Sequence, residues 1–321
     1  MCAASETAVA IPQLGADELE SPPLSLRELT WRRFRRHKMA LFGVATILLL
    51  VAYSFGGAFF YTEQDSKTVD TGNRLQPPSS AHPFGTDTVG RDIMVRTIYG
   101  GQISLVIGLL AMLVELVMGV LIGSLSGYYG GWLDAILMRF TEAVFVIPQI
   151  FLLIVMAKLF GGKIPNITVL GRTLSGSVVV TILIIGGTSW MYLARIVRAE
   201  FISLKEREFV LAAKATGTPA AQIIFGHILP NSVAPIIVSA TLAVASAILS
   251  ESYISFLGMG VQPPTATWGN MLESGSSDFS RLVGAPWYWF FPCVFIVLTV
   301  LSINFVGDGL RDALDPHSRA V

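Results

Sequence analysis

The sequence is short of charge. Asp, Glu, Lys and Arg make up 14% of its 321 residues, against about a quarter in soluble domains. Hydrophobic residues reach 53% and the mean hydropathy is +0.63. A chain this apolar needs lipid over much of its surface. Net charge is zero, from 22 basic and 22 acidic residues, so nucleic acid is not an expected partner. Cysteine is scarce too. Cys2 and Cys293 form neither a disulfide framework nor a zinc spacing. His37, His82, His227 and His317 are scattered, and no metal site is expected. A phosphate-cradling loop is also missing. That loop reads Gly-x4-Gly-Lys-Ser/Thr, but Lys163 is followed by Ile164, and Ala157 stands in place of the first Gly. With no nucleophile–base arrangement either, the chain is expected to be no enzyme and to bind no cofactor itself.

What the sequence has is long apolar runs. They cover residues 39–60, 104–125, 135–159, 177–196, 233–256 and 287–306. Each reaches or approaches the roughly 20 residues that cross a bilayer as a helix. The expected fold is an all-α integral membrane protein with about six transmembrane helices. The first run follows the basic stretch from Trp31 to Lys38. It is too long for a signal peptide and lacks a small-residue cleavage site.

Lys and Arg bias in the connections sets the orientation. With the N-terminus inside, Arg32, Arg33, Arg35, Arg36, Lys38, Arg198, Lys205, Arg207 and Lys214 are cytoplasmic. Fewer basic residues, such as Lys67, Arg74, Lys163 and Arg172, fall outside. An even number of spans returns the C-terminus to the cytoplasm. The expected organisation is a disordered tail over 1–26, a basic segment and first span over 27–60, and an external loop over 61–100. A membrane core follows over 101–316, with a cytoplasmic loop at 197–232 and a tail at 317–321.

Within the spans, Gly119, Gly123 and Gly127 recur every four residues, a spacing that lets two helices approach closely. Ser239, Ala243, Ala247 and Glu251 recur likewise and share one face. That face reads equally as a passage lining or a tight helix contact. Glu115 lies near mid-span, where a carboxylate must face protein or water. Glu142 and Glu251 lie nearer span ends and are expected to be easier to solvate. Outside the spans, Asp87, Arg91 and Asp92 suit a local ion-pair network. Asp308, Arg311, Asp312 and Asp315 read equally as the solvated end of the last helix or as a functional group.

The most informative connection is 208–230. Leu211, Ala212, Ala213, Lys214 and Ala215 favour helix, and Gly217 suits a left-handed helix end. Thr218 is placed to cap a second helix, with Pro219 at its first position. Helix, sharp corner, helix is the expectation. Phe209 and Ala213 are neighbours on one turn and are expected to form an exposed apolar face.

This segment resembles the Glu-Ala-Ala loop of ABC importer permeases. Ala212, Ala213, Gly217, Leu229 and Pro230 sit at matching places. Leu211 stands where that family has its Glu, and His227 where it has Ile. Pro83 to Asp87, Gly90 to Asp92, Ile254 to Pro264, Thr267 to Leu272, Asn304 and Gly307 to Pro316 are similar to dipeptide and oligopeptide permeases of the C type. The resemblance implies a MetI-like permease fold and ATP-driven import of peptides across the cytoplasmic membrane. Glu208, Phe209, Leu211, Ala212, Ala213, Lys214, Gly217, Leu229 and Pro230 then form the loop that engages an ATPase. Ser239, Ala243, Ala247, Glu251 and Glu115 become candidates for the pathway. Implied partners are a homologous permease in a heterodimer, two ATPase subunits using ATP and Mg, an extracytoplasmic substrate-binding protein, the peptide and membrane lipid. Nickel or another small solute is an alternative cargo. An ion-coupled secondary transporter is the alternative of a different class, though the repeats and broken helices typical of it are not evident.

Overall fold

The computed structural model describes residues 25–169, 172–276 and 283–315. The disordered tail expected over 1–26 falls almost wholly outside these residues, as does the short tail at 317–321. Helix α1 (Leu26–Arg36) opens on a reciprocal cap. The Glu28 N–H donates to the Ser25 hydroxyl at 3.3 Å, and the Ser25 N–H donates to the Glu28 carboxylate at 3.0 Å. The Ser25 backbone and hydroxyl donors hold the Glu28 carboxyl below the usual carboxylate range. His37 separates α1 from α2 (Lys38–Gly56), and its Nδ1 accepts the Ala40 N–H at 3.0 Å.

Helix α3 (Ile93–Tyr129) has 37 residues, about 55 Å at 1.5 Å per residue. It therefore projects beyond a hydrocarbon layer of about 30 Å. It starts earlier than expected, so the loop placed at 61–100 already becomes helix at Ile93. Asp92 sets that start, accepting the Val95 N–H at 3.0 Å. The preceding loop is pinned by the buried Asp87. Its carboxylate accepts the Val89 and Arg91 N–H groups at 2.9 Å each and Arg91 Nε at 2.6 Å. The expected Asp87–Arg91 pair thus forms. Asp92 stands apart from it, on the His82 ring at 2.8 Å, while Arg96 of α3 lies 3.8 Å from Asp87.

The run expected as one span over 135–159 is two helices, α4 (Gly131–Phe145) and α5 (Gln149–Phe160), bent by 88°. Pro148 sits at the break. Proline removes a helix donor and disfavours helix at the residue before it. Among the described residues, five helices are long and apolar enough to cross a membrane alone, and the bent pair makes up to six. A small departure from all-helical structure among the described residues follows, an antiparallel pair of β1 (Ile167–Val169) and β2 (Arg172–Leu174).

Helix α6 (Gly176–Leu204) outruns its expected end at 196 by eight residues. It is the central helix. In its most apolar window 67% of residues are buried, against 22% in α2. Its principal neighbour is α3, and the expected glycine seam joins them. A Cβ at Gly119 would lie 2.8 Å from the Leu193 side chain. One at Gly123 would lie 2.5 Å from the Ala194 carbonyl oxygen, and one at Gly127 2.6 Å from Phe201 Cβ. Only hydrogen fits at these separations.

After α6 come α7 (Glu208–Ala215), α8 (Ala220–Gln222), a π turn (Ile223–Ile228) and α9 (Leu229–Asn231). Helix α10 (Val233–Phe256) packs on α3, α6 and α12 (Trp287–Leu314). Between α10 and α12 lies α11 (Trp268–Ser276), tucked against both. Trp268 is fully buried there, donating Nε1–H to the Thr97 carbonyl at 3.0 Å.

Candidate functional site

Two features stand out, a corner at one end of the bundle and a cavity inside it. The corner is the expected helix–turn–helix. Just past the end of α7, Gly217 turns the chain with φ +76°, a conformation that favours glycine. The Gly217 N–H donates to the Lys214 carbonyl at 3.0 Å and the Thr218 N–H to the Ala213 carbonyl at 3.1 Å. This paired closure satisfies carbonyls that the helix end would otherwise leave open. Two local expectations change. Thr218 does not cap the next helix; Pro219 occupies that position, and the Thr218 hydroxyl pairs with Thr216 at 3.3 Å. Ala213 is not exposed with Phe209. Val210 and Ala213 point inward, onto Val197 and Phe201 of α6 and Ile223, Ile224 and Ile228. The i, i+3 spacing of Val210 and Ala213 carried that signal.

The outer face of the corner remains apolar. Phe209 is 40% exposed, Leu211 48% and Phe225 57%. Ala212, Ala215 and Gly217 between them are small and exposed, as are Glu208, Lys214 and Pro230, while Leu229 is half-buried. Phe225 was not among the expected residues; it faces out because the π turn buries Ile223, Ile224 and Ile228. The helices that lead to the corner are tied together by charge. Arg198 of α6 donates from Nε and Nη2 to the two Asp134 oxygens of α4 at 2.6 and 2.7 Å, and the Ser126 hydroxyl of α3 donates to the same carboxylate.

The cavity measures about 1020 Å³. Its walls come from α3, the α4–α5 break, α6, α10 and α12. Of the expected pathway residues, Glu115, Ser239 and Ala243 line it. Ala247 and Glu251 do not. Ala247 packs into the apolar core with Ile107 and Ile254. Glu251 is fully buried, contrary to its expected ease of solvation. It accepts the Ser255 hydroxyl at 2.7 Å and the Ser104 hydroxyl at 3.4 Å, and Ser104 in turn accepts the Trp268 N–H at 3.2 Å. The small face of α10 therefore serves both readings. Its first half lines the cavity and its second half packs.

Sequence reasoning missed Gln149, Thr188 and Ser189 on the cavity wall. Gln149 donates to Ser189 at 3.0 Å, and its place right after Pro148 was the available clue. Arg311 and Asp315 are more than a solvated helix end, because both line the cavity with Glu200 and Asn304. Asp312 meets His37 at 3.5 Å, and the Asp315 carbonyl accepts Arg33 Nη1 at 2.8 Å.

Comparison with known proteins agrees with this architecture. Residues 119–320 match the family described as "Binding-protein-dependent transport system inner membrane component". Residues 25–78 match the "N-terminal TM domain of oligopeptide transport permease C". The chain is 39% identical to the dipeptide transport system permease protein DppC of Bacillus subtilis, covering 95% of this chain and 90% of that protein. It is 38% identical to the oligopeptide transport system permease protein OppC of the same organism, over 95% and 94%. The oligopeptide transport system permease protein OppC of Haemophilus influenzae is also 38% identical, over 95% and 94%. A multi-span helical chain with a cavity between its spans, matched across nearly its whole length, belongs to the family of binding-protein-dependent transport system inner membrane components.

Proposed function

We propose that this permease carries peptides into the cell as one subunit of an ATP-driven importer. The observation that carries the reading is the corner at 208–231, which presents Phe209, Leu211 and Phe225 to solvent on a buttressed support. An exposed apolar knob at a bundle end is a protein-docking surface. The chain has no phosphate loop of its own, so ATP and Mg are used by separate ATPase subunits, and the knob is where one engages. The basic bias of α1 and of Arg198, Lys205, Arg207 and Lys214 puts that end in the cytoplasm, with both termini. The ordered loop at 61–92 and the segment 257–276 face outward, toward a substrate-binding protein. A homologous permease completes the pathway, and Glu115, Ser239 and Ala243 form this chain's part of it. The dipeptide and oligopeptide names of the relatives support peptide over nickel as cargo.

The test places a charge on the knob. Leu211→Asp and Phe225→Asp leave the buried support intact. Each is expected to abolish dipeptide uptake and co-purification of the ATPase while the two permeases stay paired. Retained uptake and retained ATPase association would refute the docking assignment. Uptake of radiolabelled nickel but not dipeptide by the wild-type complex would refute the cargo.

A further inference from the structure

Glu115 sits on α3 at residue 23 of 37, near mid-span. Its side chain is 9% exposed, and the remaining exposure is to the cavity. No described side chain or backbone group gives it a hydrogen bond or an ion pair, in contrast to Glu251 and Asp134. The other charged residues on the cavity wall are Glu200, Arg311 and Asp315. These three lie near the ends of α6 and α12, on the side of the corner. Around the middle, the polar neighbours on the wall are neutral: Gln149, Thr188, Ser189, Ser239 and Ser246.

A carboxylate inside a membrane protein is costly unless something compensates it. Here the compensation does not come from the fold. The group is held by a rigid helix, withdrawn from bulk water, and turned into a space of about 1020 Å³. What fits such a group is a hydrogen-bonding cation brought in from outside. We propose that Glu115 is a cargo-recognition residue that takes an ammonium or guanidinium group of the passing peptide, favouring cationic over anionic cargo at mid-passage. This deepens the peptide-import reading and rests on it. The cation has two possible sources on a peptide, the α-ammonium and a Lys or Arg side chain. The neutral hydroxyls and amide around Glu115 then accept or donate to the peptide backbone, while Arg311 at the rim meets its carboxylate end.

The experiment uses the complete transporter in vesicles, with binding protein saturated by each peptide so that its own preference is removed. Uptake rates of Ala-Ala, Ala-Lys, Ala-Glu and N-acetyl-Ala-Ala are compared for wild type, Glu115→Gln and Glu115→Asp. The expected result is a fall of about tenfold in the Ala-Lys to Ala-Glu rate ratio on Glu115→Gln, restored in large part by Glu115→Asp. An equal fall for the three peptides with a free amino terminus, sparing N-acetyl-Ala-Ala, supports the same cation site with the α-ammonium as its source. A fall shared by all four peptides, or uptake of every peptide unchanged within twofold, overturns the proposal, since a merely structural role would not sort cargo by the presence of a cation. If the wild-type complex carries none of the peptides, the cargo reading itself fails, which is a distinct result and removes the proposal with it.

Discussion

The region around Glu251 and the region around Glu115 lie on packed neighbouring helices, yet they treat a buried carboxylate in opposite ways. Glu251 is fully enclosed and joins three elements, with Ser104 on α3, Ser255 on its own helix and, through Ser104, the Trp268 N–H of α11. Glu115 is bonded to nothing described and faces open space. Asp134 is intermediate, a half-sheltered carboxylate with a two-pronged arginine partner. The difference separates a carboxylate enclosed and bonded within the packed helices from one that opens unbonded onto the cavity.

That contrast can be broken by removing each carboxylate in turn and following the thermal midpoint of the purified complex. Glu251→Ala should have the largest effect, about 2–3 kcal/mol of destabilisation, because it strands buried hydroxyl donors and leaves a void. Asp134→Asn should cost less, about 1–2 kcal/mol, since one member of a partly exposed charge-assisted pair is neutralised while its shape is kept. Glu115→Ala should change stability by no more than about 0.5 kcal/mol or raise it, as no bond is lost and a desolvated charge is removed. If Glu115→Ala destabilised as much as Glu251→Ala, the two regions would not differ in kind.

Local patterns in the chain foretold the spans, the glycine seam and the corner, because each depends on residues close in sequence. Gly119, Gly123 and Gly127 needed only the four-residue repeat. Glu115 could be singled out because any carboxylate at mid-span is conspicuous. The Glu251 cluster was not legible, since Ser104 lies 147 positions away and nothing in the local sequence points to it. The break at Pro148 was written in the chain but obscured by the apolar residues on both sides, which read as one continuous span. Ala213 was misplaced because the exposed and buried faces of a short helix differ by one residue. The inward extension of Arg311 and Asp315 depended on where α12 ends relative to α6, which only the assembled bundle decides.

One contact made early in the chain reaches further than its position suggests. Helix α1 is not among the walls of the cavity described above, but Arg33 holds the Asp315 carbonyl and His37 meets Asp312, while Arg311 and Asp315 form part of the cavity wall. The amphipathic segment ahead of the first span is thereby tied to the end of the last helix, beside residues that line the cavity. Removing it would take away the Arg33 and His37 contacts by which one end of the polypeptide steadies the other.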